Sequence, residues 1–205
     1  MRSKNRSDGP SFLEAARRKQ IVQCAIDVLA EEGFRRATLA RIAERAEVSK
    51  SVVVYHFGAK DGVFEQVVAE VFGTANAEVQ PRVQAAPSAA GKLRTYLRAR
   101  LEHLDANRAH MQALFELWMN FRTEDGAMRL GEPDATETVD AIERILTAGQ
   151  KSGEFTAFSA PVMAMTIRQA VDGALLRLRT EPDLDLAAYA EELVALFDRA
   201  TRSQA

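Results

Sequence analysis

An all-α fold follows from three features of this 205-residue sequence. Apolar residues recur every three or four positions through most of the chain. Capping and stop residues punctuate those runs at helical lengths. Gly and Pro number only 11 and 6, too sparse for a loop-rich β fold. The length fits one compact unit or two small ones. Hydrophobic residues at 47% and charged residues at 27% are ordinary for a globular chain and exclude a disordered one. A single Cys excludes a disulfide framework and a multi-thiolate zinc site, and points to a reducing compartment, the cytoplasm. No apolar run is long enough to span a bilayer. Arg2, Lys4 and Arg6 have no apolar block behind them, so no signal peptide is expected.

Residues 1–10 are polar, end in Gly9-Pro10 and read as a flexible basic arm. Ser11 and Glu14 form a capping box ahead of Ile21, Ala25, Ile26 and Leu29, with Gly33 as the stop of a first helix. Thr38 caps a short second helix carrying Leu39, Ile42, Ala43 and Ala46. Glu47-Val48 makes a turn, and Ser49 caps a third helix that ends near Gly58. Val52-Val53-Val54 has strand propensity, but caps on both sides and the lack of a partner strand favour helix. Asp61 opens a long fourth helix that fades near Pro81, with a linker over 81–88. Further helices are predicted at about 89–106, 107–122, 134–151, 161–180 and 185–203, separated by turn chemistry such as Asp125-Gly126 and Glu181-Pro182-Asp183. Three units result: the arm at 1–10, a three-helix head at 11–60 and a body at 61–205.

Charge divides along the same line. Residues 1–60 hold 12 Lys and Arg against 7 Asp and Glu, and the remainder holds 15 against 22. A basic head on an acidic body suggests that the head alone faces a polyanion. Residues 38–57 place two short helices about a tight turn, the helix-turn-helix layout in which the second helix enters a major groove. Small Ala43 and Ala46 allow a close crossing. Spacing alone leaves an ordinary pair of short helices equally open.

The residues themselves carry a resemblance. Thr38-Leu39-Ala40-Arg41-Ile42-Ala43, Val48-Ser49-Lys50 and Tyr55-His56-Phe57-Gly58-Ala59-Lys60-Asp61-Gly62-Val63-Phe64 resemble the DNA-binding domain of the TetR family of bacterial transcriptional regulators over about residues 15–72. The rest is similar in length and all-α layout, and its ending is similar to the BetI-like branch. Two positions depart from the family: Val54 stands where many members have an aromatic residue, and Ala59 where many have a capping Ser. The resemblance implies DNA contacts from Thr38, Arg41, Ser49, Lys50, Ser51, Val52, Tyr55, His56 and Lys60. Thr38, Arg41 and Lys60 suit phosphates, Lys50 and Ser51 base edges, Val52 a thymine methyl, and Tyr55 and His56 the backbone.

In the body, Met111, Leu114, Phe115, Trp118 and Phe121 cover a wide arc of the helix at 107–122, and Met119 widens it. Such an arc is either well-packed core or the wall of a cavity for an apolar or cationic small molecule. Phe72, Met111, Phe115, Trp118 and Met119 are the candidate pocket. Glu116 either pairs with a cationic ligand or faces water, the second being favoured. His103 and His110 lack companions for a metal site, and no nucleophile–base pair or Gly-rich phosphate loop is present, so no metal, no cofactor and no enzyme activity are expected. Cys24 reads as a small core residue. The helix at 161–180 has two apolar faces separated by a polar strip of Arg168, Asp172 and Arg179. With the last helix it suits a four-helix dimer interface through Val162, Met165, Leu176, Tyr189, Leu193, Leu196 and Phe197.

The expectation is a cytoplasmic, homodimeric repressor. It binds a near-palindromic double-stranded operator, releases it when a small-molecule inducer occupies the body, and has no membrane partner. The alternative is an all-α ligand-binding or adaptor protein with a degenerate DNA-binding head.

Overall fold

In the computed structural model of the chain, the structure describes residues 12–123, 125–127 and 133–202, with backbone alone at 133–136. These residues form nine helices: α1 Phe12–Glu32, α2 Leu39–Arg45, α3 Lys50–Phe57, α4 Lys60–Ala85, α5 Ala89–Ala106, α6 Arg108–Asn120, α7 Pro133–Ser152, α8 Ala160–Thr180 and α9 Leu186–Thr201. The arm at 1–10 and the Ser11 half of the first capping box lie outside the described residues. Two compact units divide between Glu70 and Val71.

The first unit is built round α1. Its buried residues Ile21, Val22, Ala25, Ile26, Val28 and Leu29 form one helical stripe. Gly33, at φ 81°, stops the helix by returning its amide to the Leu29 carbonyl at 3.1 Å. Ala37, Ile42, Ala43, Ala46 and Val53 complete this core with Val63, Phe64 and Val67 of α4. The first turns of α4 therefore belong to the head, which is why the unit reaches ten residues beyond Lys60. In the α2–α3 turn, Glu47 adopts φ 54°, and the Val48 amide returns to the Ala43 carbonyl at 3.0 Å. Gly62 is required by proximity: a Cβ there would overlap the Phe57 carbonyl oxygen. Cys24 is half-buried rather than core. Burial, then Asp27, push its thiol pKa up.

The second unit is centred on α5, whose buried residues Leu93, Tyr96, Leu97, Ala99, Leu101 and Leu104 run nearly all round the helix. Helices α6, α7, α8 and α9 pack against it. Two ion pairs tie α5 to α9: Arg94 to Asp198 at 2.8 Å and Arg98, as a two-pronged fork, to Glu191 at 2.6–2.7 Å. Helix α4 does not end at Pro81. It continues to Ala85 because Val71, Ala75, Val79 and Val83 are all buried on one continuous line, and their burial outweighs the amide bond that proline removes. The predicted linker is thus only the short break before α5.

The α7–α8 connection ties several elements together. Gly153, at φ 79°, turns the chain so that Phe155 lies on Gly149 of α7, where a Cβ would overlap the ring. The Thr156 amide reaches the Thr201 carbonyl at 3.0 Å, at the end of α9. Glu154 caps α5, accepting from the Ala89 and Ala90 amides at 3.1 Å each. Those amides hold its carboxyl below the usual value of 4.5. This cap contributes fully at neutral pH and is lost as pH falls through the lowered value.

Three glycine substitutions test this packing with opposite signs. Gly62→Ala and Gly149→Ala should each destabilise the protein by about 1–3 kcal/mol through overlap. Gly73→Ala, exposed in α4 with open space round it, should stabilise it by about 1 kcal/mol. Urea unfolding followed by circular dichroism reads all three; a neutral Gly62→Ala contradicts the close approach of α3 and α4.

Candidate nucleic-acid interface and ligand cavity

Both expected caps in the head form. The Thr38 hydroxyl accepts from the Arg41 amide at 3.2 Å, and the Ser49 hydroxyl accepts from the Val52 amide at 3.4 Å. Ser49 and Ser51 hydroxyls lie 2.8 Å apart, so each fixes the other's orientation. Gly58, at φ 73°, closes α3 with its amide on the Val54 carbonyl. Val53 is buried, which turns the opposite side of α3 outward: Lys50, Ser51, Val54 and Tyr55 are exposed, and Val52 and His56 are partly so. Tyr55 stacks edge-on against His56, with centroids 5.1 Å apart, and donates to Glu14 at 3.5 Å.

Helix α3 is locked by residues that sequence pattern did not single out. Arg18 of α1 donates to the His56 carbonyl and to Gln66 and lies over the Phe57 ring at 4.6 Å. Gln20 caps α2 by donating to the Ala46 carbonyl at 3.1 Å. Both sit on the outer half of α1, where a polar residue reads simply as solvated.

Two expected phosphate cations have intramolecular work. Arg41 is held between Glu32 at 2.7 Å and Glu44 at 2.8 Å, with its pKa raised chiefly by the hydrogen bond to Glu32. The Lys60 ammonium lies over the rings of Phe34 and Phe64 at 4.6 and 4.9 Å and donates to the Phe34 carbonyl at 3.5 Å. Burial pushes its pKa down. Lys60 thus helps fasten the start of α4, and Phe64 meets Phe34 at 5.4 Å.

On the second unit, α8 and α9 expose Val162, Met165, Leu176 and Leu196 at 47–66%. Leu193 and Phe197, expected in the same interface, are instead buried at 8% and 3% in the protomer's own core. The Arg94 and Arg98 ion pairs fix which part of the apolar face of α9 turns inward. Tyr189 is half-buried, donates to the Ala170 carbonyl at 3.4 Å and carries Arg177 over its ring.

The same unit holds a small cavity, about 40 Å³, between α4, α5, α6 and α8. Phe72 and Met111, both candidate pocket residues, line it with Val71, Leu114 and Val171. Phe115, Trp118 and Met119 do not. Phe115 packs edge-on with Trp118 and under Arg179, which lies 4.2 Å from its ring and 3.6 Å from Glu116. Met119 is exposed. The polar strip of α8 therefore divides: Arg179 goes to α6, while Arg168 and Asp172, paired at 2.8 Å, line the cavity with Arg100 and His103. His103 is buried, and its Nδ1 lies 2.6 Å from Glu78. Among the described residues no group of His, Cys, Asp and Glu is arranged to hold a metal ion. No described helix is long and apolar enough to cross a membrane.

Residues 21–67 match the family model described as "Bacterial regulatory proteins, tetR family". The chain is 27% identical over 107 residues to the HTH-type transcriptional regulator BetI 1 of Chromohalobacter salexigens, a match covering 52% of this chain and 53% of that protein. It is 23% identical over 170 residues to the regulator BetI of Escherichia coli, covering 80% and 87%. In fold it is similar to a TetR transcription regulator from Haloarcula marismortui, with a TM-score of 0.81 at 18% identity, over 92% of this chain and 100% of the other. With its two caps, its outward α3 and the family match over the residues that build them, the chain is similar to the TetR family of helix-turn-helix transcriptional regulators and, at low identity, to the BetI regulators.

Proposed function

We propose that the chain is a ligand-responsive repressor that binds a near-palindromic operator as a homodimer and releases it when a small molecule occupies the body cavity. The observation that carries this reading is the presentation of α3. A capped helix is fixed from behind by Arg18 and Val53 and shows Lys50, Ser51 and Tyr55 on its open side. A rigid helix with a cation near its N-terminal end and an aromatic hydroxyl further along suits base edges and phosphates in a major groove. The Thr38 hydroxyl accepts from the Arg41 amide and still has its proton to donate to a phosphate. Val52 and His56 contact DNA at the margins of this surface. Arg41 and Lys60 act chiefly by holding α2 and α4 in place.

The dimer is built on the exposed apolar residues Val162, Met165, Leu176 and Leu196. Water-facing apolar side chains on two neighbouring helices gain by meeting their copies across a twofold axis. Ligand response follows from α4, which contributes Val63 and Phe64 to the core of the head and Val71 and Phe72 to the cavity-bearing unit. A ligand that repacks Phe72 acts on a helix from which the head is also built, and operator binding and ligand binding must then weaken each other by the same factor.

Lys50→Ala should weaken operator binding by about 1–3 kcal/mol and narrow the gap between operator and random duplex, read by fluorescence anisotropy at several salt concentrations. No salt-dependent affinity of the wild type for any duplex from its own promoter region would instead favour an adaptor with a degenerate head. For the dimer, Leu196→Glu should give a folded monomer by sedimentation, whereas Leu193→Glu should unfold the chain, because Leu193 lies in the core.

A further inference from the structure

The body cavity has a chemistry that apolar patterning does not convey. Much of its lining is apolar, including Val71, Phe72, Met111 and Leu114. Arg100 from α5 and Arg168 from α8 also line it. Arg168 is only 8% exposed and Tyr96, a neighbour of both arginines, 4%. Arg168 spends its Nε on Asp172, yet its Nη1 has no hydrogen-bond partner, and neither does Nη1 of Arg100 or the hydroxyl of Tyr96. Buried donors without acceptors are rare in folded proteins, and three together are a demand for an acceptor. The fixed charges facing the cavity are two guanidiniums and one carboxylate, Asp172. His103 is engaged with Glu78. A net positive charge carried by unpartnered guanidinium donors, with the Tyr96 hydroxyl next to them and apolar side chains in the same lining, repels a cation and leaves a neutral ligand unable to balance it. Burial raises the Tyr96 pKa, so its hydroxyl remains a donor at neutral pH.

We infer that the cavity takes a compact carboxylate joined to a small apolar body, with Arg100 and Arg168 as its cationic partners, Tyr96 as a further donor, and the tail against Phe72 and Met111. The free space of about 40 Å³ accommodates the head group, and a tail enters by displacing the flexible Met111 and Leu114 side chains. This assignment rests on the reading of the body cavity as the inducer site and specifies its ligand class. It also replaces the apolar or cationic ligand that the aromatic residues of α6 suggested.

The test uses the full chain and straight-chain carboxylates from acetate to decanoate, each against its primary amide and its primary amine, by calorimetry and thermal shift. At least one carboxylate should bind and raise Tm, with its amide and amine at least about tenfold weaker. Arg100→Gln, at a partly exposed position, should weaken that carboxylate about tenfold while leaving the helical signal intact, and Tyr96→Phe should weaken it several-fold. Should Arg100→Gln fail to fold, Tyr96→Phe and the amide comparison still decide. Binding of amide and carboxylate alike, preference for the amine, undiminished carboxylate binding in both variants, or no binding by any carboxylate at millimolar concentration overturns the inference. The operator arm separates the two readings. A carboxylate that binds through Arg100 without affecting operator affinity overturns ligand-controlled release but upholds the anion site. Operator release by a neutral or cationic compound does the reverse.

Discussion

Helix α4 supplies side chains to both compact units, and neither core closes without it. Val63, Phe64 and Val67 fill the head; Val71, Ala75, Val79 and Val83 fill the body. From Val71 onward the buried positions advance by four residues, slightly more than one turn, so the buried line winds about 40° round the helix per step. Pro81 lies on the exposed side of this line, between buried Val79 and Val83, so the helix carries it without losing a core contact. The head then depends on how α4 begins. Gly62 lets the helix start against the Phe57 carbonyl, and Lys60 seals the start over two aromatic rings. The orientation of α3 is thereby set in part by groups outside α3 itself.

Much of this was legible in the sequence. The caps Thr38 and Ser49, the stops Gly33 and Gly58 and the burial of Ile42, Ala43, Ala46 and Val53 are local signals, and local chemistry decides them. The later helices, too, lie within a few residues of their expected bounds, because turn residues and helical spacing agree there. Val52-Val53-Val54 shows propensity yielding to context: two caps and a core position for Val53 outweigh three β-branched residues.

What stayed hidden depends on distant partners. Nothing near Arg41 marks Glu32 as its partner nine residues earlier, and an apolar stripe does not say whether Leu193 faces its own chain or a copy. Which residues line the cavity is hidden for a similar reason. Trp118 and Phe115 are conspicuous as large rings, but they satisfy each other and Arg179. The arginines at 100 and 168 look like surface residues until two helices turn them toward the same space. Long cations are read as solvated by default, so a buried one is invisible until packing shows it.

The acidic partners of the head have a consequence for search. Arg41 is paired with Glu32 and Glu44, and Arg45 with Glu31 at 2.7 Å. On the proposed operator-binding reading, two of the head's formal cations arrive at a duplex already paired with carboxylates and displace few condensed counterions. Sequence-independent attraction, which grows with the counterions released, is then held down, while the proposed contacts from α3 to base edges keep their full value. In a chromosome the competing random sites outnumber any operator by about a million or more, and a regulator trapped on them is a regulator withdrawn from its target. On that reading, internal carboxylates of this kind raise selectivity by lowering the background, without adding a single contact to the preferred sequence.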